Sequence, residues 1–483
     1  MIDFRPISAS LGILIVALGT MMMVPAFVDL VHGDPGWIAF VTSAVVTVFV
    51  GAMLWLTGRE SEVARLSIRQ AFLLTSLSWL VLSAFGAIPF MISQAGLSFT
   101  RAYFEAMSGL TTTGATVLGD LDAVSPGVLT WRSLLQWYGG VGIIVVAIAI
   151  LPTLQIGGMQ LFRTEYSEKT DKALPRVTQI ANGIIAAYIL LSLACAGAYF
   201  AAGMSTFDAV NHAMTTLATG GFSTRDASLA AFRSDAIEYI AIVFMIAGAL
   251  PMLLYVRALG GDLTALFRNY QVRLFLGILA GLTVLSVVQQ RLSGTASGVD
   301  ALRRALFNVT ALITTTGFVT SDYANWISVS DALFFCIMFL GACTGSTAGG
   351  IKIFRIAIIA ATVLQHFKRV IYPHGVFPIR YGGVPIGDDV VASVMSFLFL
   401  YVLTFIAVAI TLSLMGYDFL TAFSAAIACL TGVGASVGPV LGVAGHYGPL
   451  KDEALWLLAF TMLVGRLELF TVYVLLLPRF WRA

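Results

Sequence analysis

Charge is what this chain has least of. Asp, Glu, Lys and Arg make up 11% of its 483 residues, against 59% hydrophobic residues and a mean hydropathy of +0.92. That is too little polar surface to coat a soluble globule of this size. The net charge is only +2, so no basic field points to nucleic acid as a partner. Cysteine is scarce too. Cys195, Cys336, Cys343 and Cys429 lie in or beside apolar runs, with no C-x-x-C pair or His/Cys cluster. Neither zinc nor a disulfide framework is expected, and all four read as small buried hydrophobes. An intramembrane hydrolase would need a buried nucleophile and base. Of His32, His212, His366, His374 and His446, only His212 falls in a membrane-inserted stretch, where a satisfied histidine is expected, so the chain is not read as an enzyme. No span carries arginines at every third position, which disfavours a voltage sensor. Nucleotide-binding patterns are lacking, and the charged loops 157–179 and 352–389 are too short to fold independently.

What the chain has instead is apolar length. Runs of about 17 to 25 residues without deep charges occur at 7–31, 36–57, 71–92, 133–156, 180–203, 236–257, 274–290, 332–351, 390–415 and 454–478. The expected fold is an all-α polytopic membrane protein with ten spans. The first run is too long for a signal-peptide core and no small-residue cleavage site follows it, so it is read as a retained span. With both termini on the cytoplasmic side, 18 of the 27 Lys and Arg face inward and eight outward, with Arg466 inside a span. That excess sets the orientation by the positive-inside rule.

Four polar interruptions punctuate the runs: "GLTTTGATV", "TLATGGFST", "ALITTTGFVTSDY" and "CLTGVGASV". They align without gaps on Gly114, Gly221, Gly317 and Gly434, at spacings of 107, 96 and 117 residues. Four residues before each glycine stands a large aliphatic: Leu110, Leu217, Ile313 or Leu430. Eight before that stands an alanine: Ala102, Ala209, Ala305 or Ala422. Each copy lies between two spans, so the unit is span, short segment, loop, span, four times over. A helix of about nine residues rises only ~13 Å, too little to cross a ~30 Å hydrocarbon core. The segment must therefore dip in and return. Its loop cannot meet lipid, because backbone groups outside a helix go unsatisfied there. Four such re-entrant loops around one axis enclose a passage. Glycine, which tolerates φ > 0, lets the backbone approach an ion, and the short helices aim their negative C-terminal ends at the same point.

These residues resemble the Trk/Ktr/HKT superfamily of potassium transporters, most closely the bacterial TrkH type. The resemblance covers residues 60–483 as four pore units, and the first two spans resemble the additional hairpin of that type. It implies a pseudo-fourfold pore divided as 1–60 (hairpin), 61–160, 161–260, 261–375 and 376–483. It further implies potassium as the substrate, no organic cofactor, a bacterial inner-membrane location, a homodimer, and a cytosolic nucleotide-binding regulatory subunit of the TrkA kind. The ion filter would be Thr111, Thr112, Thr113 and Gly114; Ala218, Thr219, Gly220 and Gly221; Thr314, Thr315, Thr316 and Gly317; Thr431, Gly432, Val433 and Gly434. Potassium would meet the carbonyls of Thr112, Thr113, Thr219, Gly220, Thr315, Thr316, Gly432 and Val433. In plant relatives a serine at the first glycine goes with sodium permeation, and here that position is Gly114. The fourth copy departs from the threonine-rich pattern at Gly432 and Val433, so a sodium-selective or poorly selective transporter stays open as the alternative. Coupling to H⁺ or Na⁺ stays open as well.

Two further features carry chemistry. The run from 332 is broken at "GACTGSTAGGIK", residues 341–352, where ten of twelve residues are Gly, Ala, Cys, Ser or Thr. The residues alone leave two readings. Four glycines at ~1 kcal/mol each relative to alanine invite unwinding, whereas the four-residue spacing of Gly341, Gly345 and Gly349 suits close helix packing. The resemblance selects a gating loop, with Gly350 and Lys352 at its end. Arg466 lies mid-run in the last span, where a charge costs at least ~2.5 kcal/mol. Glu468, two residues on, points to nearly the opposite side of a helix. Arg466 is therefore expected to face the pathway, which in the family makes it a positive barrier. Glu468 is left without a named partner.

Overall fold

In the computed structural model, residues 3–58, 66–149, 174–296, 298–321, 330–442 and 445–482 are described. Among the described residues, six continuous helices are long and apolar enough to cross a bilayer: Arg5–His32 (with a step at Met22), Trp37–Gly58, Ile68–Ile92, Gln179–Ala201, Tyr270–Ser293 and Asp388–Leu414. Two more spans are bent pairs. Asp235–Ala249 turns by 95° into Met252–Leu259, and Asp452–Arg466 turns by 109° into Phe470–Leu476. The predicted runs 236–257 and 454–478 are thus broken, not straight. The physical reason differs in each. Pro251 cannot donate its backbone to the helix, and Glu468 and Leu469 adopt left-handed φ of 61° and 55°.

The run 332–351 is helical only through Ile337; from there an irregular strand-like segment leads to Ile353. The expected inner loop 352–389 in turn holds a 19-residue helix, Ile353–Ile371, and a small hairpin pairing Arg380 with Pro385 across Gly382 and Gly383. A stretch of small residues with four glycines makes poor helix, whereas the apolar periodicity after Lys352 makes good helix. Phe354 and Ile358 pack this helix on Phe72, Val390 and Val394.

Between the spans of each repeat lies one short helix: Phe99–Leu110, Thr206–Leu217, Gly298–Ile313 and Phe419–Thr431. At 12 to 16 residues they rise about 18 to 24 Å and fall short of a bilayer. The four aligned alanines are all 0–1% exposed. Close packing explains the small residues: a Cβ added to Gly139 or Gly465, on the span that follows, would overlap a carbonyl at the C-terminal end of a short helix, that of Leu110 or Leu430. The N-terminal helices join this assembly through Asp29, fully buried, whose Oδ1 accepts from Gly127 N at 2.5 Å and so caps helix Pro126–Ala149. Three of the cysteines are buried as expected, but Cys336 is exposed on its helix.

Candidate ion-conduction site

The four loops repeat one backbone conformation. Two residues before the last glycine the chain turns left-handed, at Thr112 (φ 53°), Thr219 (51°), Thr315 (57°) and Gly432 (77°). It does so again at Gly114, Gly221, Gly317 and Gly434, with φ between 72° and 82°. A threonine in this region is uncommon and costs energy. Glycine at 432 is the one copy that avoids the cost. The intervening residue donates back into its helix each time: Thr113 N to Ser108 O (2.9 Å), Gly220 N to Thr215 O (2.9 Å), Thr316 N to Ala311 O (2.8 Å) and Val433 N to Ala428 O (3.0 Å).

The loops also close on one another. A Cβ built on Gly114 would overlap the carbonyl oxygen of Gly220; on Gly221, that of Thr316; on Gly317, that of Val433; and on Gly434, that of Thr113. Each repeat rests its last glycine on the penultimate carbonyl of the next, in the order 1, 2, 3, 4 and back to 1. The limbs leaving the loops are stapled as well. Val319 N donates to Ser228 Oγ (3.3 Å), and Tyr447 N donates to Thr116 O (2.7 Å) while its hydroxyl reaches Gly434 O (3.0 Å).

Two charges that a count of loop residues leaves outside are buried behind this ring. Glu105, in the first short helix and 0% exposed, accepts from Val117 N at 2.8 Å and Thr116 Oγ1 at 2.9 Å. Arg132 pairs with Glu105 at 2.7 Å, donates to Ser223 O at 3.2 Å and covers the Phe222 ring at 4.1 Å. One residue before the expected span 133–156, Arg132 counts among the eight outward-facing charges of the sequence reading; it is instead buried in the ring's support. Glu105 could have been found as a lone carboxylate in an otherwise apolar short helix. His212 has both ring nitrogens engaged, with Asp208 O (2.8 Å) and Ser223 Oγ (3.0 Å).

Gly114, Gly221, Gly317 and Gly434 line a cavity of about 90 Å³ on one side of the ring. On the other side Thr111, Thr113, Thr431 and Gly432 line one of about 30 Å³, room for roughly one or two waters. Residues 341–352 close it. Gly350 N donates to Thr431 O (2.9 Å), Gly349 N to Thr315 Oγ1 (2.7 Å), and the single Thr347 hydroxyl proton is within reach of both Leu217 O and Gly248 O (3.0 Å each). Gly341 N bonds Ile351 O at 3.0 Å, folding the stretch into a loop. Gly345 (φ 76°) offers its carbonyl to Met252 N at 2.9 Å, filling the break at Pro251. The packed-helix alternative for these glycines does not occur.

Arg466 ends its helix beside this loop, 8% exposed, and donates from Nη1 to Thr347 O at 2.8 Å. Among the described residues no acceptor meets its Nε or Nη2, and the side chain lines the smaller cavity. Lys352 bonds Ala348 O. Arg355, 0% exposed, stands 2.5 Å from Glu468 Oε2 and lies over the Phe397 ring at 3.6 Å. Lys352 and Arg355 are thus buried, not loop charges on the inner surface, and Glu468 has the partner that the sequence left unnamed. Among the described residues no group of His, Cys, Asp and Glu could hold a metal ion.

A ring of backbone carbonyls between two cavities, built by four re-entrant repeats in a bundle of apolar spans, defines a multi-pass membrane protein of the cation-passage class. Residues 38–482 match the TrkH family, described as cation transport protein, and the chain belongs to that family. It is 41% identical over 480 residues to the Trk system potassium uptake protein TrkI of Halomonas elongata, covering 99% of this chain and 97% of that one. The Trk system potassium uptake protein TrkH of Escherichia coli K12 is 38% identical, with 99% of each chain covered. The crystal structure of the potassium transporter TrkH from Vibrio parahaemolyticus superposes with a TM-score of 0.91 at 38% identity over 100% of both chains.

Proposed function

We propose that this chain takes up potassium across the bacterial inner membrane, through the passage ringed by the four loops. One observation carries this: every repeat's last glycine meets the next repeat's carbonyl, in unbroken cyclic order. A closed ring surrounds an ion with oxygens from all four sides and can replace the hydration shell of a weakly hydrated cation. The carbonyls of Thr112, Thr113, Thr219, Gly220, Thr315, Thr316, Gly432 and Val433 are the ligands on this reading. Loop 341–352 and Arg466 are the gate, closed in this conformation. The four units run 61–160, 161–260, 261–375 and 376–483 after a hairpin at 1–60. The Lys and Arg asymmetry favours cytoplasmic termini. The homodimer and the cytosolic nucleotide-binding partner of the TrkA kind follow from family resemblance.

Purified protein in liposomes, with K⁺, Rb⁺, Na⁺ and Li⁺ compared under one defined gradient, tests the proposal. Potassium and rubidium flux should exceed sodium and lithium flux. The departure of the fourth loop at Gly432 and Val433 favours a sodium-permeable alternative, and equal potassium and sodium flux would establish it.

A further inference from the structure

Gln136 is fully buried on helix Pro126–Ala149 of the first repeat, yet both hydrogen bonds of its amide go to the second. Nε2 donates to the Gly220 carbonyl at 2.7 Å, and Oε1 accepts from Phe222 N at 3.1 Å. One side chain therefore grips the chain on both sides of Gly221. The same helix face continues the contact a turn each way. Arg132 donates to Ser223 O at 3.2 Å, and Gly140 lies against Ala218, where a Cβ would come within 3.2 Å of Ala218 Cα. Positions 132, 136 and 140 share a face by helical geometry and follow loop 218–223 in reverse.

Loop 2 differs from loops 1 and 3 in lacking an internal bond between two side chains of its own. In loops 1 and 3 the threonine before the last glycine bonds the threonine two residues earlier, Thr113 with Thr111 and Thr316 with Thr314, at 2.8 Å each. Loop 2 has Gly220 and Ala218 there, with no hydroxyl to pair. It cannot carry a side chain at 220 either, because a Cβ would overlap the Gln136 amide. The amide thus occupies the room that a threonine would take. The oxygen it holds is the one on which Gly114 rests, and one of the proposed ion ligands. A carbonyl has two lone pairs and can serve the amide and an ion together.

We infer that Gln136 is a positioning residue for ion selectivity, whose amide holds the Gly220 carbonyl at the radius suited to potassium and stops loop 2 from closing onto a smaller cation. This rests on the potassium-passage reading above. The test uses full-length protein in liposomes and reads the K⁺ to Na⁺ permeability ratio, which a purely structural role would leave unchanged. Gln136→Leu and Gln136→Met keep most of the volume and remove both hydrogen bonds. Each is expected to lower the ratio at least fivefold, with total cation flux per folded protein retained. Gly114→Ser serves as the control for the ring itself. A parental ratio in both Gln136 variants with a lowered ratio in Gly114→Ser overturns the role of Gln136 alone, whereas parental ratios in all three overturn the ring. Loss of folded protein in both Gln136 variants would assign the residue to folding and likewise overturn the inference.

Discussion

Replacing Arg466 acts on the passage twice. Its guanidinium donates to Thr347 O at 2.8 Å, holding the loop that closes the smaller cavity. A hydrogen bond from a charged group contributes about 1.5–3 kcal/mol. If that bond exists only with the loop closed, its loss raises the open population by about 10- to 150-fold, since ~1.4 kcal/mol is tenfold. The second effect is repulsion. Two unit charges 4 Å apart interact by ~1 kcal/mol in bulk water and ~4 at an effective dielectric of 20. Both effects have the same sign, so Arg466→Ala and Arg466→Gln should raise potassium flux, by up to about two orders of magnitude for a barrier change near 2.7 kcal/mol. Arg466→Lys keeps the charge and a donor and should change flux least. The assay is liposome flux per folded protein, with thermal stability measured in parallel. Reduced flux in both neutral variants, accompanied by reduced stability, would refute the reasoning: Arg466 would then be a structural support and not a restraint on the ion.

Three other perturbations follow from the same geometry. Gly114→Ser or Gly317→Ser puts a Cβ on a neighbouring carbonyl at φ of 82° or 76° and should lower K⁺ preference over Na⁺; unchanged permeability ratios in both, at normal expression, would count against the ring as the filter. Deleting residues 345–350 removes the Thr347 and Gly350 anchors and should raise basal flux; a deletion that folds normally and conducts no more than the parent contradicts the gate. Glu468→Ala takes the ion-pair partner from fully buried Arg355 and should cost about 3–5 kcal/mol of stability, largely regained by adding Arg355→Met. A single variant that melts with the parent would show that the pair bears little on stability.

The class, the repeats and the loops were legible in the sequence because each is dictated locally. Lipid demands long apolar runs, a segment too short to span must return, and Gly114, Gly221, Gly317 and Gly434 align without gaps because each loop needs the same left-handed backbone. The depth of a charge was not legible. Arg132, Lys352 and Arg355 looked like loop charges, since a linear count has no third dimension, and all three are buried. The breaks at Pro251 and after Arg466 lay hidden inside apolar runs, because hydropathy does not register backbone direction. Only the circular arrangement of the repeats brought Glu468 to Arg355, Arg466 to Thr347 and Gln136 to Gly220, contacts between segments far apart in the chain. Local propensity determines what each segment becomes; which polar group satisfies which, where no water can substitute, is decided by packing between repeats.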